Sequence, residues 1–289
     1  MTANHRGKQP VRRACIIITV CLVYLLSCSS SQNYTEPGGP FFEGNYAAAP
    51  QEHDGSLKVI TWNLNFAEKI ETAIITLGQV EELKDADVLL LQEMDEDSVE
   101  IIAQRLFYNY VYYPASIHPR KGNNFGNAIL TRWPITDHSK IILPNSPSRI
   151  NQSRNAIRAV IVFEGVVVVV YNTHLEMSWM LPSSGDTQVD DLVDQIDQDA
   201  GRIVLGGDFN SWNPGCIKYL DKLTGQIGLD RVTEGIGYTF EFGELRLELD
   251  HIFYNDVAMY EAGVWRGTNA SDHFPVWVML KIHTGDRDM

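Results

Sequence analysis

The sequence GGDFN at residues 206–210 directly follows the apolar run RIVL at 202–205. Glycines permit a sharp turn, and Asp and Asn side chains often bond to the backbone of such turns. The same stretch also allows chemistry, because Asp208 and Asn210 place hard oxygen atoms at a strand end, where a phosphate or a metal ion could bind. A five-residue motif alone favours the turn, so the other polar strand ends decide between the two interpretations.

Polar residues of the same kind stand at one end of several further apolar runs. In α/β folds the polar groups at strand ends collect at one edge of the sheet, which is where such folds place their sites. Six positions of this kind, all occupied by Asn, Asp, Glu or His, are hard to explain by solvation alone. The set comprises Asn63, Glu93, Asn172 with His174, Asp208 with Asn210, Asp250 with His251, and Asp272 with His273.

Strands and helices alternate along the region that must position these residues. Apolar runs predict strands at 57–63, 87–93, 127–131, 156–163, 166–174, 202–208, 249–255 and 276–282. Apolar residues at helical spacing predict helices at 67–84, 97–107, 187–196 and 214–223. The short Glu164-Gly165 connection predicts a hairpin. The pattern therefore predicts one α/β domain over residues 57–283.

Seven segments within this domain resemble, in the same order, the endonuclease/exonuclease/phosphatase superfamily. That superfamily includes pancreatic-type deoxyribonucleases, abasic-site endonucleases, neutral sphingomyelinases and inositol-polyphosphate 5-phosphatases. The resemblance implies a four-layer DNase I-like α/β fold, a two-sheet β-sandwich flanked by helices, rather than a doubly wound sheet. The segments are TWNLN (61–65), LQEMD (91–95), GNAILTRWPI (126–135), NTHLE (172–176), GGDFN (206–210), LDHIF (249–253) and SDHFPV (271–276).

A hard divalent cation suits this oxygen-rich set of side chains, since carboxylate and amide oxygens select Mg²⁺, Mn²⁺ or Ca²⁺ over Zn²⁺. We expect Mg²⁺ or Mn²⁺, with Glu93 as the main ligand and Asn63 beside it. Asp272 would add an oxygen directly or through water. The structural alternative for Glu93 is a cap on the helix that follows.

The resemblance also implies catalytic roles. His273 would pair with Asp250, which would fix its tautomer and raise its basicity. Either His273 or Asp208 would activate the attacking water, and both assignments stay open. His174 would donate to a non-bridging phosphate oxygen, and Asn210 would orient the phosphate or the water.

Substrate contacts are assigned to Arg154 and Asn172. Arg154 falls where related nucleases carry a phosphate-contacting arginine, with Arg158 as the alternative; either could instead be an exposed strand charge. Asn172 and His251 could also contact the catalytic side chains and hold them in position. The loop at 118–127 could form a substrate lip or could simply be solvated.

The first residues have the layout of a secretory signal peptide, with a basic stretch followed by thirteen apolar residues at 14–26. The sequence predicts a signal peptide at 1–27 and a flexible tether at 28–56, and LLSC makes Cys28 a lipidation candidate. An uncleaved anchor or a cleaved signal without lipid are the alternatives. Each places the domain in the cell envelope, outside the cytoplasm.

Cys216, the one cysteine in the domain, is interpreted as a packing residue.

The predicted function is a metal-dependent phosphoesterase, tethered to a membrane, that uses activated water. Its substrate would be a phosphodiester or phosphomonoester: a lipid head group, a nucleic acid or a small phosphate ester. No protein partner is predicted. The net charge of −14 argues against tight non-specific binding to nucleic acid. The alternatives are an extracellular endonuclease or DNase and a catalytically silent binding module on a lipoprotein.

Overall fold

The computed structural model describes residues 32–48, 54–144, 152–176, 188–256 and 260–282. The predicted signal peptide and Cys28 lie outside these ranges. Within the ranges, each helix is too short or too polar to cross a bilayer.

Sixteen strands and four helices make up the described part of the chain. The helices are α1 (Ile70–Gln79), α2 (Glu96–Leu106), α3 (Gln188–Ile196) and α4 (Pro214–Gln226). The strands are β1 (Gln32–Asn33), β2 (Phe42–Asn45), β3 (Ser56–Asn63), β4 (Val88–Met94), β5 (Asn109–Ile117), β6 (Asn124–Thr131), β7 (Ile135–Ile142), β8 (Asn155–Phe163), β9 (Val166–His174), β10 (Arg202–Asp208), β11 (Asp230–Arg231), β12 (Phe240–Phe242), β13 (Leu245–Leu247), β14 (Asp250–Tyr254), β15 (Tyr260–Val264) and β16 (Val276–Lys281).

Two mixed sheets form the centre of the fold. The larger has the strand order β1-β5-β6-β4-β3-β16-β15, with β2 also paired to β5, and the smaller has the order β11-β14-β10-β9-β8-β7. Strands β12 and β13 form a separate hairpin. The neighbours β3 and β4 run parallel, as do β9 and β10, so the two strands of each pair end at the same edge of their sheet.

Three apolar clusters separate the layers. Valines and isoleucines such as Val59, Val170 and Ile252 fill the space between the two sheets. Helices α1 and α2 cover the outer face of the larger sheet, and α3 and α4 cover that of the smaller one, where Cys216 is buried as a packing residue. The predicted four-layer sandwich is therefore confirmed.

The predicted hairpin is also confirmed, since β8 and β9 pair along their length. Both turn residues have positive φ, 49° at Glu164 and 83° at Gly165, as the tight turns that match strand twist require. Helix α1 is shorter than the predicted 67–84 at both ends. Residues 65–67 have positive φ and cannot belong to the helix, and Val80 is extended, so the helix ends at Gln79. The sequence patterns did not predict β5 or β7. Strand β5 is buried almost throughout but contains Pro114, and β7 is a polar edge strand.

The prediction of a flexible tether at 28–56 is wrong for residues 32–48. Strands β1 and β2 both pair antiparallel with β5, which would otherwise expose its backbone at the sheet edge. The buried Lys140 adds hydrogen bonds to the carbonyls of Tyr34 and Gly39. The polar, Gly- and Pro-containing composition suggested a linker, but backbone pairing needs no apolar side-chain pattern.

Candidate active site

The polar strand ends of both sheets meet in one buried cluster. Strands β3, β4, β9 and β10 deliver it with their carboxyl ends, whereas β14 and the segment before β16 deliver it with their amino ends because they run antiparallel. The Nδ2 of Asn63 donates to Oδ2 of Asp208 at 3.0 Å and so links the two sheets directly. The cluster comprises Asn63, Glu93, His174, Asp208, Asp250 and His273, all near one another at this edge.

The two glycines of GGDFN allow β10 to lie in the space between its neighbours. A Cβ on Gly206 would lie 2.5 Å from Leu90 Cδ1 in the opposite sheet. A Cβ on Gly207 would lie 2.0 Å from the carbonyl oxygen of Thr173, and Gly207 has a φ of 147°. Gly207 is therefore required by its close approach to the backbone and by its φ, whereas a side chain at position 206 would displace the end of the Leu90 side chain. This close packing of β10 places the Asp208 carboxylate at the centre of the cluster.

Two site residues hold unusual backbone conformations. Glu93 has a φ of 59° and lies in the bulge where the pairing of β4 with β6 shifts register. Asn210 has a φ of 48°; its backbone N–H donates to Asp208 Oδ1 and its Nδ2 donates to the carbonyl of Leu175. Positive φ is costly for residues other than glycine and is concentrated at functional sites. The bulge redirects Glu93 at a point where regular pairing would continue the strand.

Asp250 and His273 form a buried hydrogen-bonded pair. Nδ1 of His273 lies 2.9 Å from Oδ2 of Asp250, which also accepts a 2.6 Å hydrogen bond from Thr239. Burial alone would lower the pKa of His273, but the carboxylates of Asp250, Asp208 and Asp272 outweigh burial and raise it. Nδ1 is occupied by Asp250, so Nε2 is the atom that faces the site, 3.7 Å from Asp208 Oδ2.

His174 is a neutral imidazole whose tautomer is set by Arg154. Nη1 of Arg154 lies 3.0 Å from Nδ1 of His174, and because a guanidinium can only donate, Nδ1 accepts. Burial, with Arg154 and His273 nearby, holds the pKa of His174 well below its usual value. Its Nε2 therefore carries the proton and lies 3.5 Å from Asp208 and 4.0 Å from Glu93.

The buried carboxylates fit a hard divalent cation. Burial raises the pKa of both Glu93 and Asp208, and neighbouring Asp272 and Asp250, respectively, raise them further. A bound cation would relieve this concentration of negative charge, and the donors are oxygens and imidazole with no thiolate. Ligand atoms of Asp208, Asp250 and His273 lie within 4.8 Å of one another.

The contacts of two assigned residues, Asn172 and Asn63, differ from those that their predicted roles imply. Asn172 is fully buried, donating to the carbonyls of Leu91 and Ala128 between the sheets, so it does not reach substrate. Asn63 turns its amide nitrogen toward Glu93 and Asp208, while its oxygen accepts from the backbone of Asn65. Asn63 thus holds the carboxylates in this conformation.

The remaining assignments divide between the site and the periphery. His251 is buried on the other side of β14 and bonds to Ser211 Oγ at 2.7 Å. Arg158 pairs with Asp199 and Asp137, away from the cluster, so Arg154 is the arginine at the site. Asp272 is half-buried and its Oδ1 accepts from Ser271.

Sequence reasoning missed three residues that build the site. Thr239 donates to Asp250, Trp62 Nε1 donates to the carbonyl of His273 at 2.9 Å, and Phe125 lies under the Arg154 guanidinium at 5.2 Å. Trp62 lies in TWNLN and Phe125 adjoins GNAILT, so their motif neighbours were a usable signal. Thr239 had no such signal, because only the fold brings it beside Asp250.

A model of the endonuclease/exonuclease/phosphatase family matches residues 60–273, which span every residue of the cluster. The chain belongs to this family. Members of the endonuclease/exonuclease/phosphatase family are hydrolases acting on phosphoesters, so the chain has a phosphoesterase fold.

Individual relatives of this family member are distant. It is 27% identical over 244 residues to the UPF0294 protein of Erwinia tasmaniensis, covering 81% of this chain and 85% of that one. An endonuclease/exonuclease/phosphatase family protein from Leptotrichia buccalis has a TM-score of 0.63 at 20% identity, covering 78% of this chain and 100% of that one. Sphingomyelinase C from Streptomyces griseocarneus has a TM-score of 0.60 at 17% identity, covering 78% and 99%. At these identities the structural likeness shows the shared fold.

Proposed function

We propose that the protein is a metal-dependent phosphoesterase that is tethered to a membrane outside the cytoplasm and cleaves a phosphoester by water attack. The observation that carries the proposal is the convergence of the Asp250–His273 pair, the Arg154–His174 pair and the Glu93–Asn63–Asp208 group at one sheet edge. A binding module that never turned over substrate would not need two histidines with pKa values shifted in opposite directions beside the Asp208 carboxylate.

Glu93 is the principal ligand for Mg²⁺ or Mn²⁺ in this proposal, with Asp272 adding an oxygen and Asn63 steadying Glu93. When bound, the cation supplies a Lewis acid that offsets charge on the phosphate. Asp250 is assigned in this proposal to orient His273, because its Oδ2 accepts from His273 and Thr239.

The protein side chains divide the remaining work. His273 is protonated at Nε2, since the carboxylates around it raise its pKa, and it donates to a phosphate oxygen. His174 donates its Nε2 proton to a second oxygen, with Arg154 fixing the ring. Asp208 lies between both histidines and is the acceptor left for the proton of the attacking water. Asn210 orients the phosphate or that water.

The test is turnover of a soluble phosphodiester by the full chain in detergent, with Mg²⁺ or Mn²⁺ and with a chelator. We expect cation-dependent hydrolysis that His273→Ala abolishes. Hydrolysis that survives both the chelator and His273→Ala would contradict the proposal. Circular dichroism of the variant distinguishes lost chemistry from lost folding.

A further inference from the structure

The chain enters the domain at the same edge as the catalytic cluster. Gln32 pairs with Ile117, the last residue of β5, and β5 runs parallel to β4 because both are antiparallel to β6. The carboxyl end of β5 therefore lies at the edge where β4 delivers Glu93. In contrast, β16 ends at Lys281 beside Ser56, at the opposite edge.

Side-chain contacts fix this entry point to the rim of the site. Oδ1 of Asn33 accepts from the backbone of Ser153 at 3.0 Å, and Ser153 immediately precedes Arg154. The hydroxyl of Tyr34 donates to Asn124 at 2.8 Å, next to Phe125. The segment that enters the domain is thus docked against the residues that support His174.

The covalent distance to the predicted membrane attachment is short. Three residues lie between Cys28 and Gln32, and five lie between the end of the apolar run at 14–26 and Gln32, which makes four and six Cα–Cα steps. Even fully extended, these spans reach roughly 14 Å and 20 Å. A bilayer head-group layer is itself roughly 5–8 Å thick, so the catalytic rim cannot lie far from the lipid surface.

Exposed apolar side chains occupy the same rim. Trp212, which follows Asn210 by two residues, is 47% exposed. Phe242, at the tip of the β12–β13 hairpin, is 71% exposed, and the adjacent Glu241 N–H donates to the carbonyl of Asp272. Large aromatic side chains are favourable at a membrane–water interface and costly in water.

We propose that the mouth of the active site faces the bilayer to which the N-terminal segment attaches, and that the substrate is a phosphodiester lipid of that bilayer. In the reaction, a water oxygen bonds to phosphorus and one phosphorus–oxygen ester bond breaks. The leaving alkoxide takes a proton, and the products are a phosphomonoester and an alcohol. This inference rests on the proposed phosphoesterase function.

Orientation is tested by tryptophan quenching with the full chain in zwitterionic phosphatidylcholine vesicles, since the net charge of −14 disfavours anionic ones. Brominated phosphatidylcholine should quench the wild-type emission, and Trp212→Phe should lose most of that response. An equal response from both proteins would overturn the orientation, whether or not any substrate is cleaved.

Substrate class is tested on the same vesicles and on a soluble phosphodiester. Phe242→Ala should slow lipid hydrolysis by about tenfold, because the variant loses the free energy of transferring one aromatic side chain from water to the lipid interface. Turnover of the soluble phosphodiester should be unchanged. Phe107→Ala is the matched control, because Phe107 is 65% exposed at the opposite edge; it should change neither rate. Hydrolysis of the soluble phosphodiester without hydrolysis of the vesicle lipid would overturn this inference but not the proposed function. Turnover of neither ester by folded protein would overturn the proposed function as well.

Discussion

Oδ1 of Asn172 on β9 accepts a 2.6 Å hydrogen bond from Nε2 of Gln92 on β4, across the interior between the two sheets. The amide of Asn172 also donates to two backbone carbonyls of the larger sheet, those of Leu91 and Ala128. One side chain thus holds β9, which ends in His174, against β4, which carries Glu93.

Replacing Asn172 with Ala should therefore destabilise the fold. Two buried carbonyls would lose the amide that donates to them, and the Gln92 amide would lose one of its three acceptors. The expected loss is about 2–4 kcal/mol in the free energy of unfolding. Urea denaturation measures it. Asn269→Ala is the control, since Asn269 is exposed and should change the free energy by less than about 0.5 kcal/mol. Equal free energies of unfolding for the wild-type protein and Asn172→Ala would show that the hydrogen bonds of Asn172 contribute little to stability.

The sequence was informative wherever a residue type served both the fold and the chemistry. Apolar runs ending in Asp, Asn, Glu or His predicted the strands and the edge at which their ends converge. The resemblance of the motifs to the family also predicted the Asp250–His273 pair, whose partners are 23 positions apart.

Periodicity could not distinguish a buried amide at a strand end from one that faces the site. Asn172 and Asn63 were both assigned by position, but hydrogen-bond partners from distant strands decide where each amide points. The docking of residues 32–48 was equally invisible, because backbone pairing with β5 leaves no pattern in the side chains.

Arg154→Met should lower kcat/KM by about 10²-fold, because His174 would lose the donor that fixes its tautomer and the site would lose a partly buried positive charge. Arg158→Met is the control: its carboxylate partners lie away from the cluster, so activity per folded molecule should be retained. Steady-state kinetics on a soluble phosphodiester checks both. Similar losses in the two variants would argue for a general effect of charge.

Mn²⁺ should raise the Tm of the wild-type protein and have little effect on Glu93→Gln. A cation that binds only the folded state stabilises it by RT ln(1 + [L]/Kd), about 2.7 kcal/mol at a hundredfold excess over Kd. Glu81→Gln is the control, because Glu81 is an exposed carboxylate. Thermal denaturation with and without Mn²⁺ measures the shift, and an undiminished shift in Glu93→Gln would place the cation elsewhere.

Acid should destabilise the protein partly through His251. Burial, with Arg231 nearby, lowers the pKa of His251 to about 3, so the folded protein keeps it neutral while the unfolded chain protonates it near its ordinary value of 6.5. Its stabilising contribution is present above pH 6.5 and is lost as pH falls toward 3, at about 1.4 kcal/mol per unit.

Urea denaturation at pH 7 and pH 5 measures this contribution, about 2 kcal/mol over that interval. His251→Gln preserves a donor for Ser211 Oγ but cannot titrate, so its loss between the two pH values should be smaller. The same loss in both proteins would show that other groups, such as Glu248, govern the acid response.

Asp250→Asn should reduce kcat by about 10²–10⁴-fold with little loss of folding, because the substitution keeps the shape of the side chain but removes the charge that holds the His273 proton. The pKa of His273 should fall as well, since Asp250 is its strongest carboxylate partner. Nuclear magnetic resonance of the imidazole measures that shift directly, and a purely structural role for Asp250 would not produce it. Asp221→Asn, which removes a carboxylate paired with Arg231 outside the cluster, is the control. An unshifted His273 in an inactive Asp250→Asn variant would mean that Asp250 acts through position alone and that Asp208 sets the charge of the imidazole.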